Sequence, residues 1–452
     1  MATFDKKAPG VYVEEISKLP PSVASVATAI PGFVGYTEKG TKNTAIRVES
    51  LIDFEEKFGY ACKIAISDEE DKINGLEYKL HESMRLFYAN GGGTCYVVSV
   101  GNYKDAISNT ALKTGISMLE PIDEVTMIVV PDAVSLEIKD LASVQNAALA
   151  QCLELKDRVA ILDVKDTGNC NTDATNFRNS IGTKGASYGA AYYPYIKSVY
   201  DREINVYDIY KGLELSNQEL ENAQYYAELS EPTEESTLFA KQLMSKPEYA
   251  KLVAKIQEQA NLLPPSGAIA GIYCANDNQR GVWHAPANMS VSGISDINVR
   301  ISDKQQGELN EDTSGKCINA IRAFQGKGIL VWGARTLDGL SSEWKYISVR
   351  RFFNYVEESI QESTAWAVFQ PNDANTWVKV RCQIENFLSN LWRDGALAGS
   401  TPQEAFYVRV GINQTMTAQD ILNGYMIVEI GMAAVRPAEF IVLQFSHKLQ
   451  ES

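Results

Sequence analysis

Long apolar runs and basic clusters are both missing from this 452-residue sequence. No stretch reaches the roughly 18–20 apolar residues that a membrane-spanning helix needs, and Asp5, Lys6 and Lys7 stand where a secretory signal would be apolar. The net charge is −15, and no basic cluster occurs beyond Arg350 and Arg351. Because nucleic-acid binders group their Lys and Arg residues, we expect no nucleic-acid partner, no direct membrane insertion, and assembly in the cytoplasm.

Cysteine and histidine are scarce and scattered. The absence of a CxxC pair or a Cys/His cluster predicts neither a zinc site nor a disulfide framework. The histidines, His81, His284 and His447, are not accompanied by the GxSxG motif of a nucleophile elbow. Residues 326–328 lack the Ser or Thr of a phosphate-binding loop, and the acidic run at 68–71 lacks EF-hand spacing. We predict no catalytic residue, cofactor or metal site, and keep an α/β hydrolase-like enzyme as the alternative function.

The sequence pattern divides the chain into an arm and three domains. Residues 1–20 are predicted to form an N-terminal arm, 21–90 a small β-rich domain, 91–338 an α/β domain, and 339–452 a C-terminal α+β domain. From about residue 75, apolar strand segments alternate with helical ones, which predicts a largely parallel, buried sheet. The strands are predicted over 95–100, 125–130, 159–164 and 190–196, and the helices over 76–88 and 135–156.

Residues 201–262 have a composition of their own. They hold 12 Asp and Glu residues against 6 Lys and Arg residues, a net charge of −6. Pro247 begins a helical segment with Tyr249, Leu252 and Ile256 on one face. An acidic amphipathic unit between two core elements predicts a surface insertion in the α/β domain.

Strand candidates occupy both ends of the chain. The C-terminal domain is predicted to contain helices over 349–360 and 377–391, the second with Thr376 as its N-cap, and strands over 406–410, 425–432 and 440–445. At the other end, a strand candidate over 11–16 precedes Pro20 and Pro21. Because proline donates no backbone hydrogen bond, the double proline prevents this strand from pairing with the residues directly after it. Its backbone groups must therefore be satisfied elsewhere, on another molecule or in an ordinary intramolecular sheet.

A series of sequence blocks, in order over almost the whole chain, carries a family pattern. The most specific is Pro-Pro-Ser-Gly-Ala-Ile-Ala-Gly-Ile-Tyr at 264–273, followed by Arg-Gly-Val-Trp at 280–283 and Ala-Pro-Ala-Asn at 285–288. The other blocks are residues 8–15, 30–37, 87–98, 191–195, 328–337, 346–351, 369–373, 395–397 and 436–440. With these blocks the chain resembles the contractile tail sheath family, and within it the sheaths of extracellular contractile injection systems of the antifeeding-prophage kind.

The resemblance implies a multidomain α/β and α+β fold. The middle α/β domain would be subtilisin-like without a catalytic triad, and the C-terminal α+β domain would carry extended terminal β arms. The implied function is that of a structural subunit, not an enzyme, of the contractile sheath around the inner tube of a phage-tail-like injection machine. Such a subunit polymerises in a metastable extended state and contracts to drive the tube through a target envelope.

The resemblance also implies partners and site residues. In the family, terminal arms complete a sheet on the C-terminal domain of a neighbouring subunit. The residues implied in this strand exchange are Val11, Tyr12, Val13, Glu14, Phe440, Ile441, Val442, Leu443, Gln444 and Phe445. The implied partners are copies of the chain in stacked rings, an inner tube protein, and baseplate and terminator or cap proteins, with paralogous sheath subunits as an option. The particle is expected to be released extracellularly or anchored at the cell envelope.

Overall fold

A computed structural model describes residues 23–66, 73–229 and 231–440. The strands are β1 Pro31–Tyr36, β2 Ala45–Val48, β3 Ala65–Ile66, β4 Ile73–Asn74, β5 Cys95–Gly101, β6 Met127–Val129, β7 Val159–Asp163, β8 Gly189–Tyr193, β9 Ile196–Ser198, β10 Leu262–Leu263, β11 Met289–Ser290, β12 Ile294–Ile297, β13 Ile318–Phe324, β14 Gly328–Val331, β15 Phe406–Arg409 and β16 Glu429–Met432. The helices are α1 Leu51–Phe58, α2 Leu80–Ala89, α3 Asn109–Ser117, α4 Ile138–Leu155, α5 Cys170–Ser180, α6 Val206–Ile209, α7 Asn217–Ala227, α8 Glu234–Met244, α9 Pro247–Ala260, α10 Ser266–Arg280, α11 Asp303–Asn310, α12 Ile347–Thr364, α13 Ala374–Arg393, α14 Pro402–Ala405 and α15 Ala418–Leu422.

The described residues fall into two compact units. One unit, here the core unit, contains residues 26–358 and 436–440, and the other, here the C-terminal unit, contains residues 23–25 and 359–435. Among the described residues, no helix combines the length and apolar character required to cross a bilayer.

A nine-stranded sheet organises the core unit. Its strand order is β11-β14-β13-β8-β7-β6-β1-β5-β2. The six strands from β13 to β5 are parallel to one another, and β2, β14 and β11 are antiparallel additions at the two edges. The predicted parallel sheet is confirmed. Strand β1 pairs with β5 and β6, and β2 pairs with β5, so both strands belong to the same sheet as the strands of residues 91–338.

Side chains alternate between two apolar layers on the faces of this sheet. Phe33 and Val97 belong to the layer that contains α1, α2 and α10, while Val34 and Val98 belong to the layer that contains α3, α4 and α5. All four of these side chains are completely buried. Because both faces are covered, the strands appear in the sequence as continuous apolar runs.

The described residues of the predicted acidic insertion form the α-helices α6–α9, which enclose a small apolar core. Val206, Tyr210, Phe239 and Leu243 contribute to this core. Helix α9 begins at Pro247, as predicted.

The two ends of the segment 201–262 are part of the body of the core unit. Ile209 and Ile256 pack with Ile64 in a separate apolar cluster. Near the first end, the Arg202 guanidinium forms a buried ion pair with Glu82, in which Nε lies 2.5 Å from Oε1. At the other end, β10 pairs with β9.

Candidate assembly interface

The described C-terminal unit contains the helices α13, α14 and α15, the last residues of α12 and a small sheet. Strand β15 pairs antiparallel with β16, with Val408 opposite Ile430. Val408 is buried, as are Leu388 and Leu391 on α13, whose apolar face was predicted. The N-cap of α13 differs from the prediction. Asp373, not Thr376, is the cap, and its carboxylate accepts the Thr376 backbone N–H at 3.0 Å, because a charged acceptor three residues earlier reaches this donor.

The outward face of this small sheet is polar. The Tyr407 hydroxyl donates to Glu429 Oε1 at 2.9 Å, and the Arg409 guanidinium lies 4.6 Å from the centre of the Tyr407 ring. Gly431 lies opposite Tyr407, and a Cβ atom at this position would collide with the tyrosine ring. These contacts stabilise the sheet, because cross-strand side-chain pairs add to the stability that the backbone hydrogen bonds between strands provide.

Both strands of the small sheet have an open edge. Among residues 359–435, β15 and β16 pair with each other and with no third strand, so half of their backbone N–H and C=O groups point away from the pair. A two-stranded hairpin alone is marginally stable. Exposed apolar side chains occur in the same unit at Ile412, Leu422, Tyr425 and Ile427. The unit therefore offers what an added strand requires, namely unpaired ladder groups and uncovered apolar surface.

The sequence-predicted strand-exchange residues lie mostly outside the described residues. This holds for Val11, Tyr12, Val13, Glu14, and for Ile441, Val442, Leu443, Gln444 and Phe445. Phe440 is described and 71% exposed. Exchange of these strands between subunits therefore stays a prediction.

Glu439, immediately before Phe440, was not predicted as a site residue. Its carboxylate pairs with Arg335, with Oε1 2.9 Å from Nε and Oε2 2.6 Å from Nη2. Blocks 328–337 and 436–440 of the family pattern contain these two residues, and that shared pattern is the signal that could have indicated the pair.

Buried carboxylates occupy the carboxyl edge of the large sheet. Asp132, after β6, accepts the backbone N–H groups of Tyr36, Lys79 and Leu80 at 2.6, 2.6 and 2.9 Å. Burial raises its pKa to about 6, although these hydrogen bonds act in the opposite direction. Open α/β sheets bind ligands at this edge, where the strand order reverses. In this protein Asp132 joins the end of β1 to the start of α2 at that place.

Asp163 at the end of β7 has a similar role. It accepts the backbone N–H and the hydroxyl of Ser266, the first residue of α10, at 2.9 and 2.5 Å. Burial raises the pKa of Asp163 to about 7. The cavity that it lines with Gln145 and Leu162 has a volume of about 10 Å³, which corresponds to one water molecule. Both carboxylates are thus engaged in capping helices.

The contacts of the two described histidines, His81 and His284, are structural. His81 is buried, with Nε2 3.3 Å from Glu55 Oε1, and burial lowers its pKa. His284 follows Trp283, and its backbone carbonyl accepts a hydrogen bond from the Asn276 side chain at 2.9 Å. Within residues 23–66, 73–229 and 231–440, no group of three or more His, Cys, Asp or Glu side chains could hold a metal ion.

Two family models match consecutive parts of the chain. The phage tail sheath protein central domain matches residues 105–337, and the phage tail sheath C-terminal domain matches residues 341–448. The first match alone covers about half of the chain.

Solved structures extend this similarity over almost all of the sequence. A sheath complex of an extracellular contractile injection system (PVC), in the contracted state, is 30% identical with a TM-score of 0.68, over 99% of both chains. A chain of the anti-feeding prophage (AFP) baseplate is 30% identical with a TM-score of 0.65, over 98% of this chain and 99% of the other. Both similarities confirm the multidomain α/β architecture.

A curated relative is more distant. The tail sheath protein of Vibrio phage KVP40 is 23% identical over 193 residues, which is 42% of this chain and 27% of the relative. The chain therefore aligns with about a quarter of the length of this phage protein. Taken with the family models and the full-length structural similarity, this assigns the chain to the phage tail sheath family, as a structural sheath subunit of a contractile injection system.

Proposed function

We propose that copies of this chain form stacked rings around an inner tube, linked by strands exchanged between subunits. The open edges of β15 and β16 are the observation that carries this proposal. Val11–Glu14 and Phe440–Phe445 would add to those edges on neighbouring copies, so that every backbone group of an added strand gains a partner. If each copy donates its strands to one neighbour and accepts strands from another, the contact is heterologous and propagates along a helix.

Contraction would be a rigid-body rearrangement of subunits between two packings, with the exchanged strands keeping the copies linked. The energy would be stored at assembly, in an extended state held by the tube and the baseplate. Contact with a baseplate is supported by the AFP baseplate chain, which has the same architecture. We extend the proposal to terminator or cap proteins, to paralogous sheath subunits, and to a particle released from the cell or anchored at its envelope. The core unit would retain a subtilisin-like arrangement without its triad.

Deletion of residues 2–20 tests the exchanged strand. We expect the isolated subunit to melt within about 2 °C of the full chain, since a donated strand does not contribute to the fold of its own subunit. Tubes formed with the inner tube protein, viewed by negative-stain microscopy, should be lost. Val13→Pro should weaken assembly because it removes one ladder hydrogen bond, worth about 1 kcal/mol per subunit, whereas Val13→Thr keeps the N–H group and serves as control.

Two outcomes would contradict the exchanged strand. Normal tubes from the deleted chain would show that the arm links no subunits, and unfolding of the isolated deleted subunit would show an intramolecular strand.

A further inference from the structure

A buried arginine holds the last described residues of the chain. Arg335 follows β14 and is 2% exposed. Its Nε and Nη2 atoms contact the two carboxylate oxygens of Glu439 at 2.9 and 2.6 Å, and Nη1 donates to the Asn310 carbonyl at 2.9 Å. The Tyr346 hydroxyl donates to the same carboxylate at 3.1 Å. Bidentate pairs of this kind are both strong and geometrically specific.

Glu439 lies in an exposed segment, but its carboxylate is held against the core unit. Arg436, Ala438, Glu439 and Phe440 are all exposed as residues, while the Glu439 side chain alone is 20% exposed and contacts Arg335. The carboxylate is thus the polar attachment of this segment to the core unit. Here Arg335, Tyr346 and Glu439 are named the clasp.

The clasp connects the segment to the large sheet. The Arg335 backbone N–H donates to Asn319 Oδ1 at 2.7 Å, and Asn319 is a buried residue of β13. Upstream, Val435 is the last residue of the C-terminal unit, and its backbone N–H donates to the Ala396 carbonyl at 3.2 Å. The segment 436–440 therefore has an attachment of its own, separate from the attachment of the residues that precede it.

We propose that the clasp fixes the origin of the C-terminal exchanged strand at Glu439. Arg335 and Tyr346 are positioning residues in this assignment, which rests on the proposed function. Tension in the exchanged strand during contraction passes through Glu439 into β13 and the large sheet, and not into the connection at Val435. The distance that the strand can span toward a neighbouring copy then depends on the number of residues from 440 onward.

Paired insertions of Gly-Ser-Gly-Ser test the origin of the strand. One insertion is placed between Val435 and Arg436, upstream of the clasp, and the other between Glu439 and Phe440, downstream of it. Each adds at most about 14 Å of chain. We expect the upstream insertion to keep the tube yield within about twofold of the full chain, and the downstream insertion to reduce it at least tenfold. Both subunits should melt like the full chain, because neither insertion enters a helix or strand of the described residues.

A charge substitution completes the test. In the Glu439→Gln chain the upstream insertion should become as harmful to tube yield as the downstream one, while Glu120→Gln, at an exposed position, should change neither result. Equal yields from the two insertions in the unsubstituted chain would overturn the clasp. Failure of the unmodified chain to form tubes with its tube partner would instead contradict the proposed function.

Discussion

The carboxylates at the strand ends show how single residues connect the layers of the core unit. Asp132 and Asp163 are fully or almost fully buried, and each accepts hydrogen bonds from the first turn of a helix, where backbone N–H groups lack intrahelical partners. In an α/β enzyme, side chains at this edge are available to a substrate. In this sheath subunit they are used for structure, which is consistent with the water-sized cavity beside Asp163.

We predict that Asp163 makes stability fall as the pH rises from about 4 to about 7. The pKa of this carboxyl is raised by burial from its ordinary 3.8 to about 7 in the folded protein, so the folded state binds the proton over that interval and the unfolded state does not. The Asp163→Asn subunit should lose this part of the slope in denaturant titrations at several pH values. Parallel profiles for the two proteins would contradict the prediction.

Asp296 provides a control, because its pKa is shifted in the opposite direction. A hydrogen bond from the Ile297 backbone N–H is the main cause that lowers the pKa of this carboxyl. Its contribution to stability is therefore present above pH 4 and is lost as the pH falls further. Asp296→Asn should leave the slope between pH 4 and 7 unchanged.

Gly271 permits the close approach of α10 to α2. A Cβ atom at this position would collide with the Phe87 carbonyl oxygen, so Gly271→Ala must push two buried helices apart. We expect a loss of about 1–3 kcal/mol in the free energy of unfolding. Gly307, in α11, has open space around its Cβ position, and Gly307→Ala should be stabilising by about 0.5–1 kcal/mol. Urea denaturation of both subunits measures the difference, and equal effects would contradict the packing argument.

At the scale of elements, burial decides what the sequence could predict. The predicted strands at 95–100 and 159–164 match β5 Cys95–Gly101 and β7 Val159–Asp163, because a strand buried on both faces is a continuous apolar run. The central place of β1 could not be predicted in this way. It depends on pairing with β6, almost 100 residues further along the chain, and local periodicity contains no information about such distant pairing.

At the candidate interface, too, the sequence predicted the strands but not their pairing. The sequence predicts strand character at 406–410 and 425–432, and the structure has β15 Phe406–Arg409 and the shorter β16 Glu429–Met432. Within the described C-terminal unit, these strands pair only with each other. The sequence pattern did not predict this pairing. The Arg335–Glu439 pair was not predicted, because local periodicity contains no information about a contact between residues 104 positions apart, although both residues lie in blocks of the family pattern.

The buried ion pair of Arg202, at the start of the acidic segment 201–262, should be less tolerant of change than an exposed ion pair elsewhere in the core unit. Arg202 pairs with Glu82 in an ion pair whose side chains are 2% and 4% exposed, and Arg202→Met would leave the carboxylate buried and unpaired. We expect a loss of about 3–5 kcal/mol in the free energy of unfolding. Arg300→Met, which breaks the exposed pair with Asp296, should cost about 0–1 kcal/mol. Similar melting temperatures for the two variants would contradict this role of Arg202.

At the scale of the whole molecule, the two ends of the chain have attachments in different units. Near the N-terminus, the Ala24 backbone N–H donates to the Ser363 hydroxyl at 3.0 Å within the C-terminal unit. Near the C-terminus, Glu439 is held by Arg335 within the core unit. If both terminal segments link to neighbouring copies, each unit of a subunit has its own connection to the lattice. A rigid-body movement could then change subunit packing while both connections remain.

The acidic helices α6–α9 are expected on the outer surface of the assembled sheath. Their charged side chains would be costly to bury between subunits without partners, and Glu221 on α7 is exposed. A Glu221→Cys chain carrying a maleimide-gold label should show the label at the periphery of the tubes by electron microscopy. Cys62 and Cys382, which are partly exposed, are first changed to Ser, and that background without Glu221→Cys is the control. Label inside the tube wall, or loss of assembly on labelling, would contradict the outer location, because a subunit contact would then require this surface.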